Sequence, residues 1–239
     1  MKINVLGVNY DNVTMEEALQ RGREILQGNR TCYCVTPNAE MAYEALQDGS
    51  FRDLLNGAEL VLPDGAGVVL GAKILKTPLK QKVAGVEFAQ NMLPVMEELG
   101  SRLFLLGSKP GVAEMAAEKM LEKCPKLNIC GIGDGYFKDE QQVIRKINEV
   151  QADAVYVCLG APKQEYFMQK YSEALNVKLL CGLGGTLDSI AGTVKRAPRW
   201  MIRLQLEWLY RLIKEPRRFK RMLRLPKFII AAVKKRMKG

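Results

Sequence analysis

From residue 101 onward, four apolar runs each end on glycine and pass into a helical pattern, and no other feature of the chain narrows its fold so far. The runs are RLFLLG, LNICGIG, DAVYVCLG and VKLLCGLGG, followed by GSKPGVAEM, GDGYFKDEQQ, GAPKQEYFMQ and GGTLDSIAG. Short strand-like runs alternating with helical patterns build mostly parallel sheets with helices on their faces. Parallel strands leave a sheet at one edge, so the four glycine-bearing loops converge where open α/β sheets take their ligands.

The first half extends the pattern. KINVLGV reads as one strand, and TMEEALQRGREILQ as a helix that Thr14 caps, with Glu17 three residues on. TCYCVTP and AELVLPDG read as strands, AEMAYEALQ and AGVVLGAKIL as helices, and KVAGVEFAQNMLPVMEEL as a helix interrupted at Pro94. The expected fold class is α/β, a Rossmann-like and mostly parallel sheet flanked by helices. Residues 1–195 form its body, with a sub-boundary near Gly100, and residues 196–239 a basic helical appendage.

Charge separates those two parts. Residues 196–239 carry fifteen Lys/Arg against Glu207 and Glu215, a net +13, which leaves −3 for the body out of a total of +10. In PRRFKRMLRLPKF the cations surround Phe219, Met222, Leu223 and Leu225, the pattern of a segment lying on an anionic membrane surface. Upstream, RAPRWMIRLQLEWLYRLIKEP fits an amphipathic helix with Ile202, Leu206, Leu209 and Ile213 in one stripe. No run approaches the ~20 apolar residues of a spanning helix, and the N-terminus lacks the apolar core of a signal peptide. Six cysteines without a CxxC pair read as reduced, buried thiols of a cytosolic protein. The chain has no histidine, which removes imidazole as base or metal ligand and leaves acid–base work to Asp, Glu, Lys, Tyr or Cys.

Glycines at strand ends, Gly107, Gly160 and Gly184 among them, let backbone approach a phosphate. Singly each is a turn; together they point to a nucleotide or sugar-phosphate site. Neither G-x-x-x-x-G-K-[ST] nor G-x-G-x-x-G occurs, so no ATP or NAD chemistry and no cofactor is expected. Asp64, after the apolar run of VLPDGAGVV, is a helix cap, the start of an Asp-Gly turn, or a general base at a strand exit. Thr36 and Asn38 in VTPNAEM pose the same choice between capping and ligand binding. Lys163, Gln164 and Glu165 open a helix, where Glu165 suits the helix dipole and Lys163 does not, which hints at an anion beside the lysine. No Asp-x-Asp pair is present, so no obligatory metal is assigned.

In order along the chain, TPNAEM, LPDGAGVV, VAGVEF, LLGSKPGV, GYF, LGAPKQE, GLGGTLD, AGTVKRAPRW, LEWLYRL and EPRRFKR resemble the WecG/TagA/CpsF family of bacterial glycosyltransferases. The resemblance runs from about residue 3 to about 225 and is strongest to members acting in wall teichoic acid synthesis. It implies an inverting transfer of N-acetylmannosamine from its UDP donor to the 4-hydroxyl of N-acetylglucosamine carried on undecaprenyl diphosphate. Asp64 matches the family's proposed base, and Thr36 and Asn38 its donor-sugar and diphosphate pocket. Tyr136, Gln164 and Asp188 match the nucleotide site; Arg196, Arg211, Arg218 and Arg221 stand for the appendage arginines that reach diphosphate and membrane. Where the family pattern places Arg-Val before Ala84-Gly85, this chain has Lys82-Val83, which keeps the charge and loses the bidentate fork. The resemblance places the protein on the inner face of the plasma membrane and leaves open whether it works as a monomer or a homo-oligomer. The alternatives are a relative using UDP-N-acetylmannosaminuronate or UDP-glucose, a non-catalytic UDP-sugar sensor, and a nucleic-acid-binding α/β protein. Against the last, the tail mixes Trp, Leu, Ile and Phe into its cations, and the body carries no nucleic-acid recognition motif.

Overall fold

The computed structural model describes residues 1–194, 197, 198, 200, 201, 207–214 and 219–238, with backbone alone at 207, 211, 214, 220, 221 and 238. Arg196, Arg218, Ile202 and Leu206 therefore lie outside the described residues, as do the side chains of Arg211 and Arg221.

The chain opens with a hairpin, β1 (Lys2–Val5) and β2 (Val8–Asp11), rather than the single strand expected of KINVLGV. Leu6 and Gly7 both take positive φ (53° and 100°), the geometry of a tight two-residue hairpin turn, so the run folds back on itself. Six further strands form one sheet: β3 (Cys32–Val35), β4 (Leu60–Val61), β5 (Arg102–Gly107), β6 (Asn128–Gly133), β7 (Ala154–Cys158) and β8 (Leu179–Gly182). Their order is β4-β3-β8-β7-β5-β6, with every neighbouring pair parallel. This is the α/β, Rossmann-like fold expected. The pairing of β3 with β8 draws both halves of the chain into one sheet. From β5 the chain steps outward to β6, then returns to the other side of β5 as β7, so the winding reverses between β5 and β7. The hairpin covers the β4 edge: Val61 N donates to Asp11 Oδ2 at 2.9 Å, satisfying an edge amide that would otherwise be open.

Strand side chains alternate between two cores. Leu103, Leu105, Tyr156 and Cys181 face α1 (Met15–Gln27), α5 (Gly85–Leu99), α6 (Val112–Lys123) and α9 (Thr186–Ala191). Phe104, Leu106, Val155 and Leu180 face α2 (Ala39–Gln47), α3 (Gly49–Asn56), α7 (Glu140–Glu149) and α8 (Lys163–Tyr171). A parallel sheet covered on both faces explains why its strands read as continuous apolar runs. The Thr14–Glu17 capping box opens α1, with the Thr14 hydroxyl accepting from Glu17 N and Thr14 N donating to Glu17 Oε2. Pro94 does not interrupt α5; it sits on the exposed face of the helix, where the carbonyl one turn back that loses its partner is not forced into the core.

The C-terminal segment contributes α10 (Glu207–Lys214), α11 (Phe219–Met222) and α12 (Arg224–Lys238). Beyond the surface segment read from the sequence, one face of α12 is part of the core. Phe228 and Ala232 are fully buried against α2 and α4 (Ala66–Ile74). Two glycines one turn apart on α4 make the seat. A Cβ at Gly67 would lie 2.6 Å from Leu225 Cδ1, and one at Gly71 would lie 2.6 Å from Phe228 Cε1. Arg224 fastens the start of α12, its Nη1 donating to Glu44 Oε2 of α2 at 2.6 Å.

Candidate active site

The carboxyl ends of β3, β4 and β8 open into a cavity of about 290 Å³. Thr36, Asn38, Asp64, Lys82, Gly160, Gln164 and Gly184 all line it, so seven of the residues singled out from the sequence meet in one place. Trp208, Met222 and Leu225 close it from the C-terminal helices and give it an apolar wall that sequence reasoning missed.

Each polar group is held by its element. Asn38 caps α2, its Oδ1 accepting from Glu40 N at 2.9 Å and Met41 N at 3.1 Å, and it also lines the cavity. Thr36 donates its hydroxyl to Gly182 O at 3.1 Å and so ties the end of β3 to the end of β8. Asp64 does not cap α4, whose N-cap is Gly65. Its Oδ2 instead accepts from Gly85 N, 3.3 Å away at the start of α5, and its carboxylate stays half-buried on the cavity wall. A side chain at Gly85 would be tight there, since a Cβ would lie 3.0 Å from Thr36 Oγ1 and the threonine would have to shift.

Gly107, Tyr136, Lys163 and Asp188 are not cavity-lining residues; they form a second cluster around the ends of β5, β6 and β7. Ser108, unmarked in the sequence reading, donates its Oγ to Asp188 Oδ2 at 2.8 Å and its carbonyl accepts from Gly135 N at 2.9 Å. Gly107 precedes it at φ 133°, and a Cβ there would fall 2.3 Å from the Cys158 carbonyl oxygen, so only glycine fits between β5 and β7. Lys163 forms no ion pair within 4 Å among the described residues, though its charge helps lower the Glu140 carboxyl; its Nζ lies 4.8 Å from the centre of the Phe137 ring and donates to Gly135 O at 3.3 Å. Tyr136 next to it is 67% exposed. This cluster borders the reversal of winding between β5 and β7, the crevice where such sheets bind nucleotides.

Glu165 stands in the first turn of α8, as expected of a helix start, and its side chain turns inward. It is fully buried, its Oε1 accepts from Gln164 Nε2 at 2.7 Å, and Oε2 has no partner among the described residues. Burial pushes its carboxyl from the usual 4.5 to about 7, against the pull of the Gln164 hydrogen bond; Glu44 adds a small push in the same direction as burial. The signal was available: Phe167, Met168 and Tyr171 form the apolar stripe of α8, and three- and four-residue spacing from them puts positions 164 and 165 on the buried face.

A sequence profile described as the glycosyl transferase WecG/TagA/CpsF family matches residues 3–239. The chain belongs to that family. Among its relatives, a Bacillus spizizenii protein is 38% identical over 209 residues, covering 87% of this chain and 81% of the relative. A Bacillus subtilis protein is 39% identical over 199 residues, covering 83% and 78%. A Staphylococcus aureus protein is 30% identical over 242 aligned residues, covering 99% and 95%. All three are named N-acetylglucosaminyldiphosphoundecaprenol N-acetyl-beta-D-mannosaminyltransferase. In this WecG/TagA/CpsF member, no helix among the described residues is long and apolar enough to cross a membrane.

Proposed function

We propose that the chain transfers N-acetylmannosamine from its UDP donor to the 4-hydroxyl of N-acetylglucosamine on undecaprenyl diphosphate, with inversion, in the linkage unit of wall teichoic acid. The observation that carries this reading is the one cavity shared by a half-buried carboxylate, a lysine, an amide and strand-end glycines. The relatives' names supply the substrates.

Asp64 takes the proton of the acceptor hydroxyl as that oxygen bonds to the anomeric carbon from the face opposite UDP. The bond from the anomeric carbon to the diphosphate oxygen breaks, and its electron pair leaves with UDP. Lys82 and the arginines of the C-terminal segment (Arg196, Arg211, Arg218 and Arg221) balance the charge that grows on the diphosphate. Thr36 and Asn38 orient the sugar and diphosphate. The β5–β7 cluster of Gly107, Ser108, Tyr136, Lys163 and Asp188 receives the nucleoside. Trp208, Met222 and Leu225 offer the apolar wall that a lipid-linked acceptor needs next to its diphosphate.

The protein works at the inner face of the plasma membrane, held by the outward side of α12. There Ile230, Val233 and Met237 are exposed among Lys227, Lys234, Lys235 and Arg236, the composition of an interfacial helix. The direct test is transfer of labelled N-acetylmannosamine to a lipid-diphosphate N-acetylglucosamine analogue, with UDP-glucose and the UDP-uronate as competing donors. Product formed from UDP-N-acetylmannosamine alone, with β configuration, supports the reading; product from a competing donor instead refutes the assigned sugar.

A further inference from the structure

Gln164 is held from both ends. Its Oε1 accepts from Gly184 N at 2.8 Å, and its Nε2 donates to Glu165 Oε1 at 2.7 Å. The carboxamide is wedged against the end of β8, where a Cβ on Gly182 would lie 3.1 Å from Nε2. Its two ends are chemically opposite, so two partners of opposite character permit only one orientation. Gly184 N requires an oxygen and the Glu165 oxygen requires an N–H. The second Nε2 hydrogen makes no bond among the described residues, and Gln164 lines the cavity.

From this geometry we infer that Glu165 is a positioning residue for donor binding: it locks the Gln164 carboxamide so that one end holds the Gly184 loop and the free Nε2 hydrogen meets an oxygen of the donor. Glu165 itself is fully buried and is not a cavity-lining residue, so it acts through Gln164 alone. A buried carboxyl with one oxygen unpartnered is an expensive way to fill space, and an apolar residue would pack there at less cost. Its presence fits a directional role. Without the Glu165 acceptor, the carboxamide keeps only the Gly184 N bond as a fixed point, so its Nε2 end is free to swing and the hydrogen is no longer held toward the cavity, while the Gly184 loop is tied less firmly. The identity of the donor rests on the function proposed above; the lock itself does not.

The experiment compares Glu165→Leu, Glu165→Gln, Gln164→Leu and the Gln164→Leu/Glu165→Leu double variant in the full chain. Three readouts are used: donor KM against kcat, UDP affinity, and amide hydrogen exchange at Gly184. Glu165→Leu is expected to raise donor KM and weaken UDP about tenfold, the scale of one lost hydrogen bond, with kcat changed less than KM. Exchange at Gly184 speeds up in the same variant. Glu165→Gln keeps an oxygen acceptor and recovers most of the affinity and the protection. The double variant is no worse than Gln164→Leu, since both changes remove one device. Additive losses, or a Glu165→Gln variant as impaired as Glu165→Leu, would overturn the inference. Should Glu165→Leu fold poorly, Glu165→Met makes the same comparison with a more adaptable side chain. A wild-type protein inactive with UDP-N-acetylmannosamine would count against the proposed donor, whereas Gly184 exchange would still separate the variants.

Discussion

At the residue scale, buried polar groups carry the consequences that are easiest to measure. Glu165 holds a proton in the folded state that the unfolded chain releases near its ordinary pKa of 4.5, because burial raises the folded value to about 7. The stability this gives is full below pH 4.5 and is lost as pH rises through about 7. Glu165→Gln has no proton to lose, so the variant gains on wild type across that interval, by at most about 3 kcal/mol at 1.36 kcal/mol per pH unit. Urea unfolding at a series of pH values measures the difference, and parallel stability curves would count against it. Asn38 and Asp64 were legible as a pair of choices between cap and ligand, and the structure divides them. Asn38 takes the cap with one end of its amide, while Asp64 leaves α4 to Gly65 and bonds across to Gly85. Ser108 carried no signal, because its role depends on Asp188, eighty positions away in the chain.

At the element scale, local pattern succeeded where a segment's periodicity and its burial agree. The Thr14–Glu17 box, the four strand–glycine–helix units and α4 all follow from spacing. Two expectations failed for identifiable reasons: the Leu6–Gly7 turn splits an apolar run, and an exposed Pro94 is tolerated inside α5. The docking of α12 was illegible because its seat lies about 160 residues upstream, as two glycines in α4 that read locally only as weak helix positions. Gly71→Ala tests that seat. Helix propensity alone favours alanine by about 1 kcal/mol. Overpacking against the buried Phe228 ring costs about 1–3 kcal/mol. The steric term wins, and a fall in melting temperature is expected; a rise would mean that α12 yields freely at this contact.

For the whole molecule, the segregation of charge seen in the sequence becomes a division of faces. The body carries its cavity at the carboxyl edge of the sheet, and α12 is bolted to that body by Phe228 and by the Arg224–Glu44 pair while turning its cations outward. Reversing Lys227, Lys234 and Lys235 to glutamate should therefore weaken flotation with anionic vesicles by at least about 1 kcal/mol per residue without altering UDP affinity, and raised salt should weaken the wild type similarly. Undiminished flotation would remove α12 from membrane contact. The central claim is chemical, that the Asp64 carboxylate takes the acceptor proton in the shared cavity, and Asp64→Asn tests it most directly. Transfer to the lipid-diphosphate acceptor should fall about 10²–10⁴-fold while UDP affinity stays near that of wild type. Near wild-type turnover in that variant would contradict the account.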